Sequence, residues 1–253
     1  FGLSVSGLEE TAEGLRAILF ARDTLITDYV ELGGVGAAFV NAGALTLIAV
    51  AAYWISGATV SGGALACLML VLGTALYGKN LLNVWPILGG VLLYCRFTRE
   101  RFANHINTAF FGCALAPVVS EILFSSALSF RQSIPLSLGS GLLIGFVLPP
   151  VAVQLFRAHG GYSLYNMGFV AGVVGSLVVA IFMSYGFVPA PLFYWSPDHT
   201  ALFAVSISGC CGAMIVGGFL FDRHGVARLR TLLARSGQAP SDFVASCGDG
   251  PVL

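Results

Sequence analysis

Six polar side chains stand inside or beside the apolar runs of this chain and have the types to do chemistry there: Asn41, Lys79, Asn80, Asn83, Glu121 and Asn166. Lys79 is the only lysine, and apolar residues press on it from both sides. An ammonium in hydrocarbon costs roughly 2.5–3.5 kcal/mol near a helix centre, so one kept there has a partner or a task. Continued as helix, Lys79 and Asn83 are i,i+4 neighbours, and Asn80 and Asn83 are i,i+3, which sets all three on one flank. Pro86 cannot donate to the Leu82 carbonyl and leaves an acceptor open. Amides, a cation and freed backbone groups are what broken membrane helices use to hold small solutes and ions. The plainer alternative is a hairpin turn begun at Gly78, with Lys79 and Asn80 in water.

Glu121 lies well inside the apolar run 108–128, four residues after a proline that interrupts the helix at the Cys113 carbonyl. A carboxylate at that depth calls for a cation. Lys79 is the one cation not already placed in a loop, so the expected pair is Lys79–Glu121, with snorkelling toward Arg131 as its rival. Asn41 and Asn166 either meet a solute or hydrogen-bond neighbouring helices. Gly141-x-x-x-Gly145 and Gly168-x-x-x-Gly172 have the spacing for close helix–helix approach.

Enzyme signatures are missing. The chain has no H-E-x-x-H, no G-x-S-x-G and no Walker loop, and its four histidines (His105, His159, His199, His224) fall outside the apolar runs. No catalytic residue, metal site or cofactor is expected. The six cysteines lie mostly in apolar stretches, without C-x-x-C spacing, and read as packing residues. Zero net charge gives no reason to expect nucleic acid.

The elements that must position these groups follow from hydropathy. With 57% hydrophobic and only 9% charged residues, the chain lacks the polar surface of a water-soluble domain, for which about 25% charged is usual. Its mean hydropathy is +0.88. Long apolar runs, not alternating ones, predict an all-α polytopic membrane bundle. Residues 1–32 read as an interfacial amphipathic segment. Residues 33–221 read as the transmembrane domain, with clear spans at 34–55, 108–128, 134–156, 166–185 and 200–221. Residues 222–253 form a basic amphipathic segment. The runs 62–76 and 81–94 are each too short to cross alone, so 62–94 is expected to make one net crossing through a broken helix, giving about six crossings. That choice puts Arg16, Arg22, Arg96, Arg99, Arg101, Arg157, Arg223, Arg228, Arg230 and Arg235 on one side and Arg131 on the other. The positive-inside rule then makes the N-terminus cytoplasmic. An outer loop at 187–199, with Phe193, Tyr194 and Trp195, agrees.

The two ends of the chain resemble each other. Asp28-Tyr29-Val30 with Gly34 and Gly36 matches Asp242-Phe243-Val244 with Gly248 and Gly250 at a constant offset of 214. The chain thus reads as one repeat plus the opening of a second, and with six crossings the two copies would point the same way. A shorter echo links Val40-Asn41-Ala42-Gly43 to Tyr165-Asn166-Met167-Gly168.

Five stretches carry a resemblance to a family of uncharacterised prokaryotic multi-pass membrane proteins, known only as a domain of unknown function. They are Asp28-Tyr29 through Gly43, Gly78-Lys79-Asn80-Leu81-Leu82-Asn83-Val84-Trp85-Pro86, Ala114 through Glu121, Pro149-Pro150, and Tyr165 through Gly168. The resemblance implies a prokaryotic cytoplasmic membrane and about twice as many membrane segments, but no substrate. The expected function is a secondary transporter or channel for a small polar solute or ion, not an enzyme, with the six residues lining the path. Its rival is a structural or assembly subunit of a membrane complex. Expected partners are the lipid bilayer, the solute, and a second copy or second repeat.

Overall fold

The computed structural model describes residues 1–23, 27–163, 166–187, 196–221, 225–238 and 242–248. Tyr165, Phe193, Tyr194, Trp195, Arg223, His224 and Gly250, each used above, lie outside the described residues. Among those described, helices account for all regular structure: α1 (Gly2–Ser6), α2 (Leu8–Phe20), α3 (Tyr29–Ser56), α4 (Gly62–Thr74), α5 (Trp85–Thr98), α6 (Ile106–Gly112), α7 (Ala116–Leu123), α8 (Phe130–His159), α9 (Met167–Ser184), α10 (Thr200–Phe221), α11 (Gly225–Leu233) and α12 (Phe243–Cys247). Five stretches are long and apolar enough to cross a membrane: α3, the α6–α7 pair, α8, α9 and α10. The molecule is an all-α, membrane-embedded bundle.

Local chemistry sets the helix ends. Asp28 caps α3 by accepting from the Val30 amide at 2.9 Å, and Gly57 ends the helix at φ 65°. The Ser61 hydroxyl caps α4, and Ser129 and Gln132 form a capping box on α8. Pro86 stands in the first turn of α5, where its missing donor is not needed. Pro117 coincides with a short 3₁₀ turn, Cys113–Leu115, that divides α6 from α7.

The segment 62–98 departs from expectation in a way that changes the topology. Cys67 of α4 and Tyr53 near the end of α3 both meet Asn107, and Asn41 of α3 reaches Ala75 just beyond α4. So α4 runs antiparallel to α3, inward from what can be termed the Tyr53 end. Helix α5 then returns to the same end, where Tyr94 packs on His105 at a ring separation of 5.5 Å. The segment is a hairpin with both feet at the Tyr53 end, not one net crossing through a broken helix. Its legs hold 13 and 14 residues, about 20 Å each, too short to traverse the hydrocarbon. Among the described residues, five stretches are thus candidates to cross, where about six crossings were expected.

Glycine contact holds the hairpin in the bundle. A methyl at Gly145 would meet the Ile87 carbonyl at 2.1 Å, and one at Gly90 would meet the Leu142 carbonyl at 2.2 Å. Only bare backbones allow α5 and α8 this close, as the Gly141/Gly145 spacing foretold. The second pair differs: among the described residues nothing lies within 4 Å of a methyl built at Gly168 or Gly172. The N-terminal helices fold back along the first part of α3, with Gly14 against Gly33 and Phe1 against Phe39.

Candidate functional site

The hairpin tip, residues 75–84, gathers most of the polar side chains identified from sequence. Asn41 is fully buried and holds the tip through three backbone contacts. Its Nδ2 donates to the Ala75 and Lys79 carbonyls, each at 2.8 Å, and its Oδ1 accepts from the Leu81 amide at 3.2 Å. One side chain thereby satisfies carbonyls left open at the end of α4. Asn80 and Asn83 meet, but through turn geometry and not along a helix flank. Asn80 Oδ1 accepts from the Asn83 amide at 3.0 Å while Asn83 Oδ1 accepts from the Asn80 amide at 2.9 Å. This reciprocal pair resembles a capping box and turns the chain into α5. The hairpin-turn alternative was thus right about shape and wrong about environment, since Lys79, Asn80 and Asn83 are at most 4% exposed.

The amide nitrogens of both asparagines converge on Asp23, a residue that the sequence reading passed over. Asp23 Oδ2 accepts from Tyr29 Oη at 2.9 Å, Asn80 Nδ2 at 3.0 Å and Asn83 Nδ2 at 3.1 Å. Asn83 Nδ2 also lies 3.0 Å from Ser120 Oγ, which faces the same carboxylate. Asp23 Oδ1 is buried without a hydrogen-bond partner among the described residues. Asp23 stands in the connection ahead of the first crossing. Burial pushes its carboxyl up to about 7, against the opposing pull of the Tyr29 and Asn83 hydrogen bonds, and the nearby Glu121 charge adds to the rise. In sequence Asp23 sits among other charges of a polar segment, so nothing there marks it as buried.

Glu121 pairs with Arg22 and not with Lys79. Arg22 Nη2 donates to Oε1 at 2.5 Å and Arg22 Nε to Oε2 at 2.9 Å, a two-pronged pair. The Glu121 hydrogen bond is the main cause that raises the Arg22 pKa. The expected Lys79–Glu121 pair, and its Arg131 rival, are corrected by this contact. The reason is positional: the end of α2 brings Arg22 over the end of α7, a pairing between residues 99 positions apart.

Lys79 is left differently placed. Its backbone carbonyl is held by Asn41, but its ammonium has no hydrogen-bond or ion-pair partner among the described residues. The groups in electrostatic reach are the thiols of Cys67 and Cys113. Asn166 does not join the cluster. It precedes α9 at φ 51°, bonded to His159 at 2.8 Å and to the Ala152 carbonyl at 2.8 Å, at the Tyr53 end. Asn41, by contrast, sits within α3, so the short sequence echo between the two has no structural counterpart. Five of the six expected residues therefore gather about the tip, and Asp23, Tyr29, Ser120 and Arg22 complete the group. No cluster of metal-ligand type occurs among the described residues.

These helices coincide with the bounds of a known sequence family. The family described as "Protein of unknown function (DUF1576)" matches residues 8–184, from the first residue of α2 to the last of α9. The chain belongs to this family. No curated protein and no solved structure matches the chain. The matched span contains the whole hairpin and every residue of the tip cluster.

Proposed function

We propose that the protein moves a small polar solute or ion across a membrane, with the hairpin tip as its binding and gating element. The observation that carries the reading is a non-helical turn inside the bundle that joins two half-length helices and holds Lys79, 4% exposed and without a hydrogen-bond or ion-pair partner among the described residues. Irregular backbone at such depth is tolerated only where protein or an aqueous cavity surrounds it, and transporters use it to build sites midway through the membrane. Asn41, Lys79, Asn80, Asn83 and Glu121 then belong to the path or its walls, and the tip as described is closed to solvent.

The revised topology supports an orientation opposite to the one expected from six crossings. The Tyr53 end holds Arg96, Arg99, Arg101, Arg157, Arg228, Arg230 and Arg235, whereas the other end holds Arg16, Arg22 and Arg131. The positive-inside rule then makes the Tyr53 end cytoplasmic and the N-terminus external, in the prokaryotic cytoplasmic membrane that the resemblance implies. The end-to-end likeness also gains support. Asp28 and Asp242 both cap helix starts, and the glycines six residues on, Gly34 and Gly248, have φ of 79° and 85°. With five crossings between them, two copies would point in opposite directions, which is a frequent transporter design.

A structural subunit is the second reading, favoured by one specific observation: the Asn41, Asn80 and Asn83 amides are engaged by protein groups and not free for a solute. The native thiols decide. In a variant retaining only Cys67 and Cys113, a transporter that opens to water yields to small water-soluble methanethiosulfonates in proteoliposomes. A filled structural core leaves both thiols unmodified, and that outcome refutes the transport reading.

A further inference from the structure

The carboxyl of Asp23 is fully buried, and its two oxygens are unequally served. Oδ2 accepts from Tyr29 Oη at 2.9 Å, Asn80 Nδ2 at 3.0 Å and Asn83 Nδ2 at 3.1 Å, whereas Oδ1 has no partner among the described residues. An ionised carboxylate shares its charge between both oxygens and calls for donors on each. Half of that charge would be stranded on Oδ1, which is far costlier to bury than a bare hydroxyl. A neutral acid matches the pattern, with Oδ2 as its accepting carbonyl oxygen and Oδ1 carrying the proton. The titratable and charged groups that face Asp23 agree. Tyr29 of α3 donates its hydroxyl, and Glu121 of α7 adds negative charge even while Arg22 holds it. Lys79, on the same tip, forms no ion pair with Asp23 among the described residues. The two asparagines that hold Oδ2 also close the turn into α5, each accepting from the other's backbone amide. Asp23 thus ties the connection ahead of α3 to the hairpin tip. Being 0% exposed, it exchanges a proton with water only when that tie opens.

We propose that Asp23 is a proton-binding site of the tip, loaded in the closed form, and that release of its proton frees the tip. The step moves a proton alone: the Oδ1–H bond breaks, the electron pair stays on the carboxylate, and water takes the proton. The inference rests on the transport reading and names the proton as its coupling ion. Burial, which pushes the carboxyl up to about 7, brings the exchange within ordinary pH. Infrared difference spectra of the full chain in proteoliposomes, stepped from about pH 5 to about pH 9, test it. A protonated-carboxyl band should disappear with a midpoint near 7. That band should be absent in Asp23→Asn and present, with a lower midpoint, in Glu121→Gln. Trp85, at the start of α5, reports the tip through its indole bond to the Leu81 carbonyl at 2.7 Å. With Trp54 and Trp195 replaced by phenylalanine, its emission should shift over the same pH range, and Asp23→Asn should abolish the shift. Absence of the band, a band that survives Asp23→Asn, or emission indifferent to pH overturns the inference and leaves the transport reading standing. Failure of Cys67 and Cys113 to react with the methanethiosulfonates at any of these pH values overturns the transport reading itself. Should Asp23→Asn not fold, isotope labelling of the aspartate carboxyls in the unsubstituted protein decides. A band that shifts with the label supports the site, and one that does not shift overturns it.

Discussion

Replacing Asn41 by alanine is the sharpest probe of how the tip is held. The side chain is fully buried and supports the tip through three hydrogen bonds, to the Ala75 and Lys79 carbonyls and from the Leu81 amide. At the roughly 0.6 kcal/mol typical of side-chain bonds between membrane helices, three bonds give about 2 kcal/mol. The groups left behind are backbone groups at the tip, and a stranded buried one costs about 1–3 kcal/mol. Partial relaxation of the turn brings the expected loss to about 3–5 kcal/mol. Asn41→Leu, close in volume, should lose nearly as much, because stranded polar groups and not a void dominate. Equilibrium unfolding in mixed detergent micelles measures both variants. A loss under about 1 kcal/mol for Asn41→Ala would show that the tip is held by other means, and much better tolerance of leucine would make the effect one of packing.

Three further outcomes follow from the same geometry. The Asp23 carboxyl titrates near 7 in the folded protein against 3.8 for the free group, so the folded state retains a proton that the unfolded state releases. Stability from this group is full below about pH 4 and is lost as pH rises through 7; Asp23→Asn should flatten that slope in thermal unfolding between pH 5 and 8. Breaking the Arg22–Glu121 pair with Glu121→Gln should cost about 2–3 kcal/mol, between exposed and buried pairs because the Arg22 side chain is 20% exposed. Arg22→Glu combined with Glu121→Arg should recover part of that loss, whereas Lys79→Glu with Glu121→Lys should recover none. Gly145→Ala forces a methyl to 2.1 Å from the Ile87 carbonyl and should destabilise by about 3 kcal/mol or more, while Gly168→Ala and Gly172→Ala meet open space and should be neutral. Equal effects at the three glycines would refute the packing of α5 on α8.

What the sequence by itself determined was local. Apolar run length set the helices, because a crossing helix must satisfy its own backbone and stay apolar over its length. Pro86 marked a break in helical hydrogen bonding through the donor it lacks. Lys79, Asn80 and Asn83 stood out because polar groups are expensive in an apolar setting, wherever the chain later goes. Tertiary structure decided the rest. Two runs of 13 and 14 residues, each too short to cross, fit either a broken crossing or a hairpin, and arginine counts agreed with the wrong one. Contacts of Cys67 and Tyr53 with Asn107, 40 and 54 positions away, and of Tyr94 with His105 selected the hairpin, and with it five candidate crossings among the described residues. Partner choice was equally hidden. Arg22 looked like a surface charge and Asp23 like its neighbour, yet folding brings one to Glu121 and the other to Asn80 and Asn83. Charge complementarity has no fixed spacing, so it can be read only once packing has brought the partners within hydrogen-bond distance.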